Sequence, residues 1–98
     1  MEPPPIDSKK KLLRWTLEVL KTNGIKPRKK LSQNFLVDPR IIKDILRNVS
    51  RYASTIEIGA GLGTLSYFLC QEIKGLKLFF EIDHRLASIA SNLINGDG

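Results

Sequence analysis

The lead from Met1 to Ile6 holds Pro3, Pro4 and Pro5, which keep its backbone extended; after it the apolar positions take up a helical rhythm. Asp7 or Ser8 offers a side-chain oxygen to cap a helix N-terminus. Leu13, Leu17 and Leu20 form one apolar stripe on the helix that follows, running to about Thr22. Asn23-Gly24 supplies a left-handed stop. Pro27 keeps the segment Ile25 to Lys30 out of helix, and Leu31 to Val37 carries no period and reads as irregular. Asp38-Pro39 is a second helix start, with an acceptor at the cap and proline in the first turn. Ile41, Ile42, Ile45, Leu46 and Val49 then follow the spacing of a buried helix face.

From Thr55 the period changes. Thr55 to Ile58 predicts a short strand that runs into a glycine loop, Gly59-Ala60-Gly61-Leu62-Gly63. Thr64 to Ile73 predicts a helix closed by Lys74-Gly75, and Leu76 to Ile82 a second strand, apolar enough to be covered on both faces. Asp83 caps a further helix from His84 to about Asn92, and Leu93-Ile94-Asn95 opens a third strand. Strand, glycine turn, helix, strand, helix, strand is the start of a right-handed, doubly wound α/β sheet with helices on both faces.

Charge divides the chain. The net charge is +6, but residues 1–51 carry +8 and residues 52–98 carry −2. A basic front half suits a polyanion, and a slightly acidic back half suits a cationic or small-molecule ligand. The alternative for the front half is a solvated basic helix face. The single cysteine, Cys70, excludes an internal disulfide and a cysteine-based zinc site within these residues, and its apolar neighbours Phe68, Leu69 and Ile73 mark it as a core thiol. His84 stands without partner ligands, so no metal site is expected. No apolar run has the length of a membrane span, and the N-terminus lacks the basic-then-apolar order of a secretory signal; no membrane association and a cytoplasmic location are therefore expected.

The glycine loop is where chemistry concentrates. Glycines between a strand and a helix let backbone approach a ligand and aim helix N-terminal amides at it. The nicotinamide fingerprint G-x-G-x-x-G is not met, because the sixth position from Gly59 is Thr64. The spacing is G-x-G-x-G, preceded by Glu57, and an acid there suits a ligand with an ammonium group better than a pyrophosphate. Glu81, ending the second strand about twenty residues on, can accept both hydroxyl protons of a ribose. Asp97 could accept from an adenine amino group or serve as a turn residue between two glycines. Together these acids and glycines describe a pocket for a cationic adenosyl ligand, and S-adenosylmethionine has the required sulfonium, ammonium, ribose and adenine.

Three segments carry a family resemblance. Lys29 to Asp38 is similar to the signature K-x-x-x-Q-N-F-L-x-D of ribosomal RNA adenine dimethyltransferases. Glu57 to Leu65 resembles that family's E-I-G-P-G-x-G-x-L, with Ala60 where proline is common, and Glu81-Ile82-Asp83 resembles its ribose-binding E-x-D. The resemblance implies a Rossmann-like S-adenosylmethionine-dependent methyltransferase fold. In it Gln33, Asn34 and Leu36 fold over the cofactor, Gly59 and Gly61 lie along its methionine part, Glu81 holds the ribose, Ile82 packs on the adenine, and Asp97 meets the adenine amino group. It also implies methylation of adjacent adenines in small-subunit ribosomal RNA, with that RNA or the ribosomal subunit as partner.

The chain departs from the pattern in two places. The stretch from Glu81 to Asp97 is shorter than in the family. The prolines stand only at positions 3, 4, 5, 27 and 39, so the family's catalytic N-[LI]-P-[YF] segment does not occur. In the family that segment's asparagine side chain and a backbone carbonyl accept the protons of the adenine amine, a poor nucleophile because its lone pair is delocalised into the ring. The expected organisation is a basic helix and linker over residues 1–28 and a truncated cofactor-binding domain over 29–98, with no catalytic residue present. A non-catalytic RNA-binding or ribosome-assembly module is the alternative; a dinucleotide oxidoreductase is disfavoured by Thr64 and by Gln33-Asn34-Phe35-Leu36.

Overall fold

The computed structural model describes residues 1–27 and 30–96, with Gln33 described by its backbone alone. Helix α1 (Lys9–Thr22) starts at Ser8, whose Oγ accepts from the Lys11 amide at 3.1 Å. It stops at Asn23, and Gly24 follows at φ +68° so that the Ile25 amide can reach back to the Leu20 carbonyl at 2.9 Å. The buried face of α1 is Leu12, Trp15, Thr16, Val19 and Leu20. The expected Leu13–Leu17–Leu20 stripe is corrected here: Leu13 is 37% and Leu17 44% exposed. Trp15 has the largest surface to hide, and Thr16 joins the buried face at little cost because its hydroxyl donates to the Leu12 carbonyl at 2.8 Å. The Trp15 Nε1–H donates to the Glu2 carbonyl at 3.1 Å and ties the proline lead to the helix.

The segment expected to be irregular contains a single helical turn, α2 (Leu31–Asn34), closed by the Phe35 amide donating to the Leu31 carbonyl at 2.8 Å. Helix α3 (Pro39–Arg47) begins where Asp38-Pro39 predicts, with the Asp38 carboxylate accepting from the Arg40 amide at 2.9 Å. Ile42 is fully buried on α3 and Ile45 and Leu46 are half-buried, whereas Ile41, expected on the same face, is exposed.

Strands β1 (Thr55–Ile58) and β2 (Lys77–Phe80) pair in parallel, Thr55 opposite Lys77 and Ile58 opposite Phe80. Helix α4 (Thr64–Glu72) connects them and α5 (His84–Asn95) follows β2. A parallel crossover of fixed hand places its helix on one predictable side of the sheet, and α1, α3, α4 and α5 share one hydrophobic cluster built on Leu12, Leu20, Ile42, Leu62, Ile89 and Leu93. Two expectations are corrected. Leu93, Ile94 and Asn95 are the last turn of α5 rather than a third strand, because Ile89, Ala90 and Leu93 continue the buried face of that helix up to its left-handed Gly96 stop. The sheet is covered on one face only: Ile56, Ile58, Leu78 and Phe80, on the other face, are exposed. Among the described residues no helix is long and apolar enough to cross a membrane.

Candidate functional site

The glycine loop turns the chain from β1 into α4. Gly59, Gly61 and Gly63 all have positive φ, at 76°, 61° and 84°, which side chains rarely tolerate. The Gly59 and Ala60 amides donate to the Phe80 carbonyl at 2.8 and 3.0 Å, so the loop is fastened to the end of β2. A Cβ on Gly63 would stand 2.8 Å from the Cβ of Ala90; this glycine therefore sets the close approach of α4 to α5. A Cβ on Gly59 would meet nothing within 4 Å, which leaves that stretch of backbone open to a ligand.

Glu81 meets this loop. Its Oε1 accepts from the Gly61 amide at 2.7 Å and its Oε2 from the Asp83 amide at 2.9 Å. Two backbone amides thus fix the carboxylate plane, and each oxygen keeps a further lone pair for a hydroxyl. Asp83 is spent otherwise: its carboxylate caps α5, accepting from the Arg85 and Leu86 amides at 2.8 and 3.3 Å. The Arg85 guanidinium beside it lowers the Asp83 carboxyl below the ordinary carboxylate range.

An open cleft of about 1010 Å³ lies in front of Glu81 and Gly59, walled by Asn34, Phe35, Asp83 and Leu86 and, across from them, by Ile25 and Lys26. A smaller recess behind it takes in Asn34, Leu36, Glu57, Gly59 and Gly61. Glu57 is half-buried there and accepts from the fully buried Ser66 hydroxyl; burial raises its carboxyl above the ordinary value, and the Ser66 hydrogen bond offsets part of that rise. Phe35 packs against the loop, 3.6 Å from where a Cβ on Gly61 would stand.

The fold brings Asn34, Leu36, Gly59, Gly61 and Glu81 together around these two spaces. Ile82 lines neither of them and its side chain is 95% exposed. Asp97 and the side chain of Gln33 lie outside the described residues, as do Arg28 and Lys29. The sequence reading missed the opposite wall, Gly24 to Pro27, and the hydroxyl of Ser66. The only advance signal for the wall was the Asn23-Gly24 helix stop, which fixes where the chain turns without saying what it turns toward. Among the described residues no group of His, Cys, Asp or Glu side chains is arranged to hold a metal ion.

Residues 24–97 match the family described as Ribosomal RNA adenine dimethylase. The chain is similar to proteins named Ribosomal RNA small subunit methyltransferase A. It is 35% identical to the one from Lysinibacillus sphaericus over 82 residues (82% of this chain and 28% of that protein). Identity is 38% to the Macrococcus caseolyticus protein over 82 residues, again 82% of this chain and 27% of that protein. A Streptococcus pneumoniae relative is 36% identical over 81 residues, 81% of this chain and 28% of its own length. The chain thus spans between a quarter and a third of the length of the curated relatives it matches. A match over residues 24–97, together with a glycine loop fastened to an acid at the end of the next strand, leads to one conclusion: the chain belongs to the ribosomal RNA adenine dimethylase family.

Proposed function

We propose that this chain is the S-adenosylmethionine-holding part of a ribosomal RNA adenine dimethyltransferase, acting in the cytoplasm on adjacent adenines of small-subunit ribosomal RNA. The observation that carries this reading is the Glu81 carboxylate, held by the Gly61 and Asp83 amides at the mouth of an open cleft. The donor set fits the cofactor: an oriented carboxylate for two vicinal hydroxyls, an open glycine backbone at Gly59, and a half-buried carboxylate, Glu57, in the adjoining recess for a cationic end.

In this reading Glu81 binds the ribose and Gly59 and Gly61 line the methionine part. Gln33, Asn34 and Leu36 close over the cofactor, and Asp97 meets the adenine amino group. Ile82 would pack on the adenine, for which its exposed side chain is available. Residues 1–28 form the basic lead and 29–98 the cofactor-binding portion. The cofactor supplies an electrophilic methyl group on a sulfonium, and the protein's part is to fix that group in position. Activation of the adenine amine belongs to an N-x-P-aromatic segment that these 98 residues do not contain, so they are proposed to bind cofactor without transferring methyl groups.

Calorimetric titration of S-adenosylmethionine tests the reading. The chain should bind it, and Glu81→Ala should lose two hydrogen bonds to a charged acceptor, each worth at most roughly 1.5–3 kcal/mol. Equal affinity of wild type and variant would reject the ribose role.

A further inference from the structure

The outer face of α1 is unexplained by the cleft. At 3.6 residues per turn, Lys10, Arg14, Leu17 and Lys21 fall on one side of the helix, opposite the buried Leu12, Trp15 and Val19. Among the described residues the ion pairs are Lys11 with Asp7, Arg40 with Asp38, Arg47 with Asp44 and Arg85 with Asp83; Lys10, Arg14, Lys21 and Lys26 take part in none. Lys10, Arg14 and Lys21 thus form a row of like charges on one face, and Glu18, four residues from Arg14, is the single acid of the helix. The row is directional. From Lys10 to Lys21 it runs about 16 Å along the helix axis, and two residues past the Asn23-Gly24 stop stands Lys26, part of the cleft wall.

We infer that the outer face of α1 is a track for an RNA backbone, leading a strand along Lys10, Arg14 and Lys21 to the cleft at Lys26. It rests on the proposed reading of the chain as part of an RNA-modifying protein, and it adds a surface that the family match, beginning at residue 24, does not include. Three cations at helical spacing suit successive phosphates of a flexible strand, and the partly exposed Leu13 and Leu17 beside them offer apolar contact to sugar and base. Sequence would not be read here: phosphate contacts set position and direction, and leave selection to the site at the end of the track.

The test compares two triple variants of the full chain with the same change in charge. One is Lys10→Gln, Arg14→Gln, Lys21→Gln; the control is Arg47→Gln, Arg51→Gln, Lys74→Gln, at exposed positions outside α1. Glutamine matches lysine and arginine in helix propensity, so α1 is retained. Binding of a short single-stranded oligoribonucleotide is measured against salt. The α1 triple should flatten the slope of log affinity against log salt by about 2, at about 0.7 per lost contact to a single strand, and the control should leave it near wild type. Equal flattening by both triples, or by neither, overturns the track. So would binding of anionic lipid vesicles by wild type that the α1 triple abolishes while RNA binding persists. S-adenosylmethionine titration of the same proteins separates the two ideas: the α1 triple should bind cofactor as wild type does, and absence of cofactor binding in all three would count against the proposed function alone.

Discussion

Glu57 and Glu81 stand at the ends of neighbouring strands, yet their surroundings give them different work. Glu81 is met by two amides, which fix the orientation of its carboxylate at the cleft. Glu57 faces the recess beneath α4, where desolvation disfavours its charge and only the Ser66 hydroxyl answers it. The sign of the stability effect follows. Burial raises the folded-state carboxyl above its ordinary 4.5, so the folded chain holds the proton more tightly than the unfolded chain does. That contribution to stability is fully present below the ordinary value and is lost as pH rises through the raised one. Glu57→Gln keeps an acceptor for Ser66 and removes the charge. It should therefore raise the melting temperature at pH 7, with the gain shrinking on acidification and gone below about pH 4. If Glu57 also answers the cationic end of the cofactor, the same variant should bind S-adenosylmethionine more weakly, exchanging binding for stability. Thermal melts across pH check the first claim; a gain that grows toward acid pH would refute it.

At the scale of elements, Gly63 decides how α4 meets α5. Its φ of 84° already disfavours a side chain, and a Cβ would fall 2.8 Å from that of Ala90 and 3.0 Å from its Cα, part of a helix that cannot yield cheaply. Gly59 has the same handedness, at φ 76°, and open space around it. Gly59→Ala should then show only the left-handed cost, roughly 1–2 kcal/mol, while Gly63→Ala adds an overpacking cost of roughly 1–3 kcal/mol more. Denaturant unfolding of the two variants measures the difference, and equal losses would mean that α5 moves aside freely. What the sequence made legible at this scale follows from how local each signal is. Ser8, Asn23-Gly24, Asp38-Pro39 and Gly59 each act within a turn of themselves, and the helix starts and strand ends stand where they indicate. Facing is not local. Helix α1 has apolar residues on more than one side, so Leu13 and Leu17 competed with Leu12, Trp15 and Val19, and only packing into the shared core chose between them. Leu93-Ile94-Asn95 suits a strand or the last turn of a helix equally, and the buried Ile89 and Ala90 before it settled the matter. The meeting of Glu81 with the glycine loop was legible because strand, helix and strand fix both ends; the Gly24–Pro27 wall was not, because tertiary packing alone brings it there.

On the scale of the molecule, the polar balance of the surface is broken in one place. Ile56 lies beside Leu78 and Ile58 beside Phe80 on the uncovered face of the sheet, and the exposed Leu76 and Ile82 flank β2 at its two ends. Parallel strands are ordinarily covered on both faces, and here both strands are also edges, with backbone groups open to another chain. Self-association of these 98 residues is the expected outcome, with binding of a hydrophobic dye. Ile58 and Ile82 are 84% and 95% exposed, so Ile58→Lys with Ile82→Lys should reduce association and dye binding while leaving the unfolding free energy within about 0.5 kcal/mol of wild type. Leu12→Ala, at a fully buried site in the common core, should instead cost about 2–5 kcal/mol. The contrast locates the stability of the chain in the cluster beneath the sheet and its association in the face above. The relatives it matches are about three times as long, and such a protein has further chain to cover that face. There, a lysine at the position equivalent to Ile58 should destabilise strongly, because it would bury an unpaired charge. Light scattering and thermal melts on the double variant, set beside melts of the corresponding variant in a longer relative, decide the point: destabilisation of the 98-residue chain itself by Ile58→Lys would mean that its own residues already cover the face.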